Sequence, residues 1–174
     1  MGFSVGLASF IVLIGFVAIF STVCTAFFTS VQDISFAANE YISNQKDKIN
    51  AQMQLTVNSV STTTSDITIK NTGSKTIFLQ SSDGYNWNTI ILSYGSGSEW
   101  HSYTFESYTI TEIKVIGTNT TFNITTHDFI NPGEQVSISL TLPGGAPEIS
   151  VTDIVSVTFA SHYGTTASSE GVIA

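Results

Sequence analysis

Three histidines, His101, His127 and His162, are the residues of this chain best suited to acid–base chemistry or metal binding. They are widely separated, whereas metal-binding histidines often follow one another at short spacing. His127 is followed by Asp128, but neighbouring residues on a strand point to opposite faces of a sheet. The pattern therefore predicts neither a metal site nor a bound cofactor.

Motifs for catalysis are also lacking. The sequence contains no Gly-x-Ser-x-Gly elbow, no phosphate-binding loop and no paired-carboxylate motif. Glycines at Gly95 and Gly97 do not follow a strand-to-helix pattern. A nucleophilic Ser or Thr needs a base positioned against it, and no such arrangement is visible. We predict that the protein is not an enzyme.

Aromatic residues interspersed with Gly, Ser and Asn distinguish residues 82–108. Trp87, Tyr94, Trp100 and Tyr103 lie in this stretch. Tyr and Trp offer a large contact area at low entropic cost, and Ser and Gly adapt to a partner, so this composition is typical of protein-binding loops. These four residues are the predicted partner contacts. The alternative is that the aromatic side chains fill the core or support strands.

The charge of the chain argues against binding to nucleic acid. Of 174 residues, five are basic and thirteen acidic, and the formal net charge is -8. Binding to phosphates requires clusters of Lys and Arg, which this chain does not offer.

Residues 2–32 contain no Asp, Glu, Lys, Arg or His and no proline. A helix needs about 20 apolar residues to span a bilayer, and this run is longer. A signal peptide would have a basic start and a shorter apolar core, so we predict a retained transmembrane helix over residues 1–32. Gly2 and Gly6 match the small-residue spacing that lets membrane helices pack closely.

The helical period continues past the first charge, Asp33. Apolar residues recur at intervals of three, four and seven, including Ile34, Ala38, Tyr41 and Ile42. Residues 33–52 are therefore predicted to form a helical stalk that prolongs the first helix to about residue 50.

From residue 53 the apolar period changes to two, as in strands. Residues 135–142 alternate most regularly, with Val136, Ile138, Leu140 and Leu142 on the predicted core face. Short alternating runs separated by Gly, Pro, Asn and Ser predict an all-β, Ig-like antiparallel β-sandwich domain over residues 53–163. Residues 164–174 are small and polar, which predicts a flexible C-terminal tail.

Two acceptor motifs for N-glycosylation occur in this domain, at Asn119 and Asn123. Because glycosylated asparagines lie on exported surfaces, they favour an extracytoplasmic position for the C-terminal domain.

The opening Met1-Gly2-Phe3-Ser4-Val5, the apolar helix that follows, and a β domain with the motifs at residues 70–74 (KNTGS) and 131–134 (NPGE) together resemble the archaeal flagella-related FlaF/FlaG (ArlF/ArlG) family, and FlaF in particular. The resemblance implies a single-pass protein of the archaeal cell membrane that acts as an accessory or stator subunit of the archaellum. The resemblance also implies that its extracytoplasmic domain binds the surface layer (S-layer) and other archaellum components, and that it associates with a second copy as a dimer.

Two other functions remain open. Archaellin-like or type IV pilin-like filament subunits also join a long apolar helix to a β domain; the lack of a basic residue before Gly2 and of a glutamate early in the run favours the stator. A membrane-anchored carbohydrate- or solute-binding module would instead use the aromatic stretch to bind its ligand.

Overall fold

The computed structural model describes residues 2–80, 86–105 and 108–173, with side chains from residue 6 onward. The chain divides into two compact units, Met1–Gln45 and Lys46–Ala174. A single helix, α1, covers Gly2–Asn50, so its last turn belongs to the second unit. This helix confirms that the apolar run and the stalk form one continuous element.

Eleven strands follow among the described residues. They are β1 Met53–Val60, β2 Thr64–Asn71, β3 Ile77–Phe78, β4 Thr89–Ser96, β5 Glu99–Phe105, β6 Thr109–Val115, β7 Thr121–Phe122, β8 Phe129–Ile130, β9 Glu134–Thr141, β10 Ile154–Ala160 and β11 Thr166–Gly171. One sheet has the order β1-β2-β9-β6-β7, the second has the order β11-β10-β4-β5, and β3 pairs with β8. All the pairings are antiparallel.

The core lies between the two larger sheets and is built from alternate residues of their strands. In β9, Val136, Ile138 and Leu140 are buried, and in β10 so are Val157 and Phe159. Their intervening neighbours point outward, because successive side chains of a strand leave opposite faces of the sheet. The predicted fold class, an antiparallel β-sandwich domain on a long N-terminal helix, is confirmed.

Residues 164–174 depart from the prediction of a flexible tail. Thr166–Gly171 forms β11, which pairs with β10 from Ala160 to Val155. Gly171 lies so close to β1 that an added Cβ would meet Val57 Cγ1 at 2.7 Å. The prediction rested on composition, whereas this strand is held by its backbone ladder and by packing against a neighbouring edge strand. The sandwich therefore extends beyond residue 163.

Candidate assembly surfaces

The exposed surface of α1 is the largest apolar feature of the chain. Its most apolar 18-residue window has a mean hydropathy of 2.5, and none of that window is buried. By length and composition this helix is able to cross a membrane. Exposed side chains along it include Phe10, Ile14, Phe16, Ile19, Phe20, Phe27 and Phe28. A surface of this kind is stable only in contact with lipid or with other apolar helices.

The hydroxyl side chains of α1 are compatible with such an environment. Four of them donate a 2.9 Å hydrogen bond to the carbonyl oxygen four residues earlier: Thr22 to Ala18, Thr25 to Ser21, Thr29 to Thr25 and Ser30 to Ala26. A polar group without a partner is costly in an apolar medium, so these bonds allow the helix to lose contact with water.

The predicted packing pair, Gly2 and Gly6, is described in part. Gly2 lies outside the residues whose surroundings the structure describes. A Cβ added at Gly6 would meet no atom within 4 Å, and the same holds at Gly15. Both of these glycines leave room for the close approach of another helix.

The last turn of α1 is bound to the β domain by the turn that follows β2. The backbone carbonyl groups of Asn50 and Gln52 accept four hydrogen bonds of 2.8–3.1 Å, donated by the backbone N–H groups of Thr72, Gly73, Ser74 and Lys75. Carbonyl groups at a helix end have no partner within the helix, so this turn supplies what the helix lacks. The hydroxyl of Thr165 also donates to the carbonyl oxygen of Ala51, at 3.0 Å.

Asn71 holds this turn in shape. Its buried side chain donates to the carbonyl oxygens of Lys75 (2.8 Å) and Ile130 (2.9 Å), and its Oδ1 accepts from the N–H of Gly73 at 3.1 Å. Only an amide side chain offers two donors and an acceptor at this position. The Asn-Thr-Gly motif thus joins the end of α1 to both β2 and β8.

A second turn, residues 131–134, lies directly beside the first. The N–H of Gly133 donates to the carbonyl oxygen of Asn71 at 3.1 Å, and the φ angle of Gly133 is +83°, a conformation that favours glycine. Glu134 is buried, and its Oε2 accepts from the N–H of Asn131 (2.7 Å) and lies 2.9 Å from Nε2 of His127. The two motifs at residues 70–74 and 131–134 therefore form one structural unit.

These hydrogen bonds control the ionisation of Glu134. Burial raises the pKa of its carboxyl group, but the hydrogen bonds from Asn131 and His127 lower it by more, so the pKa lies below its ordinary value. A lowered pKa means that the ionised carboxylate stabilises the fold. That stabilisation is present above the ordinary pKa near 4.5 and is lost as the pH falls through the pKa of the folded state.

We expect Glu134→Gln to lower the free energy of unfolding by about 2 kcal/mol at neutral pH, because hydrogen bonds to a charged group are lost. The difference from the wild type should shrink as the pH falls below 4.5 and through the lowered pKa of the folded state, where the wild-type carboxylate becomes protonated. Chemical denaturation of the full chain in detergent measures both quantities, with Glu170→Gln as an exposed control. A difference that stays constant from pH 7 to pH 3 would contradict this role.

Six rings form a continuous band on the β domain: Phe78, Trp87, Phe122, His127, Phe129 and His162. Consecutive ring centroids along this aromatic band are 4.0–6.2 Å apart. Trp87 and Phe78 remain 55% and 45% exposed. Such contiguous, partly exposed aromatic surface is typical of protein contacts. The band combines residues that are distant in sequence.

His162 connects the exposed and buried parts of this band. Its Nδ1 is buried without a hydrogen-bond partner among the described residues, and desolvation lowers the pKa of its imidazole. The ring is therefore neutral near pH 7 and behaves as an aromatic spacer between Phe78 and Trp87.

The four predicted contact residues do not form one loop. Trp87 precedes β4, and Trp100 lies in β5 opposite Gly95, so the hairpin β4–β5 separates the two tryptophans. Trp100 is 50% exposed, and both tryptophans remain available for contacts.

Tyr94 corrects the prediction of a partner contact, because it is only 1% exposed and belongs to the core. Its ring stacks on Tyr103 with centroids 6.1 Å apart, and its hydroxyl donates to the carbonyl oxygen of Pro147. Burial raises the pKa of Tyr94 to about 12. Tyr103 is partly buried against the same core. The alternative interpretation of the aromatic stretch, that its residues support strands, therefore applies to these two tyrosines.

Both glycosylation motifs lie on exposed turns that flank β7. The side-chain Oδ1 of Asn123 accepts from the N–H of Thr125 at 2.9 Å, and Asn119 is exposed in the turn before β7. Their positions permit modification, which stays a prediction. Within the described parts of the chain, no three His, Cys, Asp or Glu residues are grouped to hold a metal ion.

Comparison with known proteins gives a family match and a set of similar folds. The family of archaeal-type flagellin matches residues 2–171. The archaeal flagellum of Methanospirillum hungatei strain JF1 is 15% identical, with a TM-score of 0.64, over 97% of this chain and 93% of that chain. No curated protein matches the chain by sequence.

Two stator structures are less similar. The archaellum periplasmic stator protein FlaG from Sulfolobus acidocaldarius is 17% identical, with a TM-score of 0.44, over 69% of this chain and 98% of that chain. The periplasmic stator complex of FlaF and FlaG from the same organism is 17% identical, with a TM-score of 0.45, over 69% of this chain and 88% of that chain.

Proposed function

The chain belongs to the archaeal-type flagellin family, and from this premise we propose that it is a structural subunit of an archaellum filament. The family is one of structural archaellum components and not of enzymes. The observation that carries the proposal is that the match spans both the apolar helix and the β domain, which is the architecture of a filament subunit. The sequence alone favoured the stator; the family match shifts the preference to the filament.

In a filament, the exposed side chains of α1 would be buried against α1 of neighbouring copies. Burying one large apolar side chain contributes about 1.5–3 kcal/mol, so many such residues on each subunit stabilise a helical core strongly. Gly6 and Gly15 allow helices to approach closely, and four hydroxyls of α1 already donate to backbone carbonyl groups. These four hydroxyls therefore stay satisfied when the helix leaves the membrane for the filament core.

The β domain would form the outer part of the filament. Its connection to α1 is more than a single backbone link, since residues 72–75 donate four hydrogen bonds to the carbonyl groups of Asn50 and Gln52. The ion pair of Asp47 with Lys75, at 2.9 Å, adds to this connection. A load applied to the domain is consequently shared among several bonds before it reaches the helix.

The proposal is tested by locating the protein on cells. Filaments sheared from cells should contain the chain as a major component by mass spectrometry, and antibodies against the β domain should label the shaft along its whole length. Labelling confined to the cell envelope, with sheared filaments free of the chain, would overturn the filament proposal.

That opposite result would support the second candidate, a stator. The observation that favours a stator is that α1 is long and apolar enough to remain in the membrane. In that case the β domain would bind the S-layer from its extracytoplasmic position, and the helix would resist withdrawal from the membrane. Binding of the purified chain to isolated S-layer protein separates this role from that of a filament subunit.

We further propose that the aromatic band is a contact between neighbouring subunits. Replacing Trp87 with alanine is expected to reduce filament yield by about 30-fold, since a buried aromatic contact contributes roughly 2 kcal/mol to an interface. The melting temperature should change little, because Trp87 is largely exposed in the single chain. Ile91→Ala, on the exposed face of β4, is the control. Normal filament yield from Trp87→Ala would exclude the band as a subunit contact.

A further inference from the structure

The lysines of the β domain lie at one end of it. All the basic residues of the chain outside histidine are Lys46, Lys48, Lys70, Lys75 and Lys114. Lys48 is in the last turn of α1, Lys46 lies just before that turn, and Lys75 pairs with Asp47 within it. We call this part of the domain the lysine end.

The pairing of the strands places the remaining two lysines, Lys70 and Lys114, at the lysine end as well. Lys70 is the second-last residue of β2 and is paired with Gln135, which is paired in turn with Lys114. Since β2 leads directly into the turn that binds Asn50, this row of residues lies beside the end of α1. Sheet pairing therefore groups residues that are 44 positions apart (114 − 70 = 44).

Carboxylates lie at the opposite end of the sandwich, where the hairpin β4–β5 turns. Glu99, Glu148 and Asp153 line one pocket of about 260 Å³ there. Glu170, next to the last residue of β11, lies towards the same end, since its neighbour Gly171 pairs with Val155 at the start of β10. We call this the acidic end.

Asp153 is the most buried of the four carboxylates at the acidic end. It is only 8% exposed, and its Oδ2 accepts a 2.8 Å hydrogen bond from the N–H of Ser150. Among the described residues no hydrogen bond reaches its second oxygen, Oδ1. This oxygen stays open to a cationic partner in the pocket that Asp153 lines.

The charges at the two ends are not neutralised within one copy. Across the described residues, Lys46, Lys48 and Lys70 have no ion-pair partner, and neither do Glu99 and Glu148. Other carboxylates near the lysine end are already engaged: Asp47 with Lys75, Glu112 with Lys114 and Glu134 with His127. The connecting strands have seven or eight residues and rise about 3.3 Å per residue, which separates the ends by about 25 Å.

From this arrangement we propose that the acidic end of one copy binds the lysine end of the next copy, so that the β domains associate head to tail. The inference rests on the proposed function as a filament subunit. A contact between two different patches of the same chain generates an open filament when its rotation does not close into a ring, whereas a contact between identical patches generates dimers. The pocket of Glu99, Glu148 and Asp153 receives a lysine side chain, and the complementary charges set the direction of stacking.

Zero-length cross-linking with a carbodiimide tests this contact in filaments of the full chain. It joins a lysine to a carboxylate only when the two groups touch, so a link across about 25 Å within one copy is not possible. We expect mass spectrometry to find Glu99 or Glu148 linked to Lys46, Lys48 or Lys70. Filaments whose only links are those within one end, such as Asp47 to Lys75, would overturn the head-to-tail contact.

Charge reversal provides a second test with an internal rescue. One variant carries Glu99→Lys and Glu148→Lys, and the other carries Lys46→Glu and Lys70→Glu. Each variant alone has like charges at both ends, and we expect roughly 100-fold fewer filaments after detergent removal. A 1:1 mixture restores opposite charges at every contact and should restore assembly.

Control variants separate this contact from net charge and from the proposed function. The double variant Glu99→Gln with Glu148→Gln changes the net charge by the same amount as the double variant Thr56→Lys with Thr104→Lys. The two threonines are exposed, on β1 and β5. Only the glutamate double variant should reduce assembly. If the wild type and both reversed variants assemble equally well, the head-to-tail contact is wrong and the filament function stands. If the wild type itself never assembles, both proposals fail.

Discussion

Replacing Gly73 with alanine is expected to lower the free energy of unfolding of the β domain by about 3 kcal/mol. A Cβ at this position would lie 2.2 Å from the carbonyl oxygen of Asn50 and 2.5 Å from the backbone nitrogen of Gln52. Both atoms belong to the backbone that the turn binds, so no side-chain rotation can relieve the overlap. The turn must move, and the four hydrogen bonds to Asn50 and Gln52 are lost or weakened.

The matched control is Gly144→Ala, because a Cβ at Gly144 meets no atom within 4 Å. Denaturation of both full-length variants in detergent, followed by tryptophan fluorescence, measures the difference. Since Gly73 holds the end of α1, filament yield should also fall in that variant and not in the control. Equal stability of the two variants would show that the turn does not require glycine at residue 73.

Placing a lysine in the middle of the apolar helix, as Phe16→Lys, is expected to abolish assembly. Phe16 is 72% exposed in the single chain, and a lysine at the centre of a spanning helix costs about 3 kcal/mol. This cost corresponds to a loss of roughly 100-fold in membrane insertion and in burial within a helical core. Membrane fractionation and filament counts by electron microscopy measure the two steps separately.

Asn44→Lys controls for the added charge, since it lies in the polar part of α1 beyond the apolar run. We expect it to insert and assemble as the wild type does. Filaments formed normally by Phe16→Lys would contradict the burial of α1 in the core of the filament.

The sequence predicts the main elements because their signals are local. An apolar run without charges can form only a helix in an apolar medium, and α1 was predicted to end at about residue 50, as it does. Alternation predicted the core face of β9, where Val136, Ile138 and Leu140 are buried. The class of the domain follows from these periods together.

Features that depend on distant residues could not be predicted. β11 has few apolar residues, and its pairing with β10 and proximity to Val57 become visible only in the folded chain. Tyr94 and Trp100 share one aromatic stretch, yet strand alternation and the loop before β10 bury Tyr94 and leave Trp100 half exposed. Composition alone does not distinguish them.

The candidate surfaces also depend on residues that are distant in the sequence. The Asn-Thr-Gly and Pro-Gly-Glu motifs were visible as turns, but their contact through Gly133 and Asn71 joins residues 62 positions apart (133 − 71 = 62). The aromatic band and the lysine end likewise combine residues from several strands. A signal for the lysine end was nevertheless present, since all five lysines lie outside the hairpin β4–β5.

The most direct test of the proposed function is a helical reconstruction, by electron cryomicroscopy, of filaments sheared from cells that express this chain. We predict a core of packed α1 helices surrounded by β-sandwich domains, with side-chain density that matches this sequence and with the acidic end of each domain against the lysine end of another. Filaments whose density fits only a different chain, with this protein retained in the envelope, would contradict the filament function.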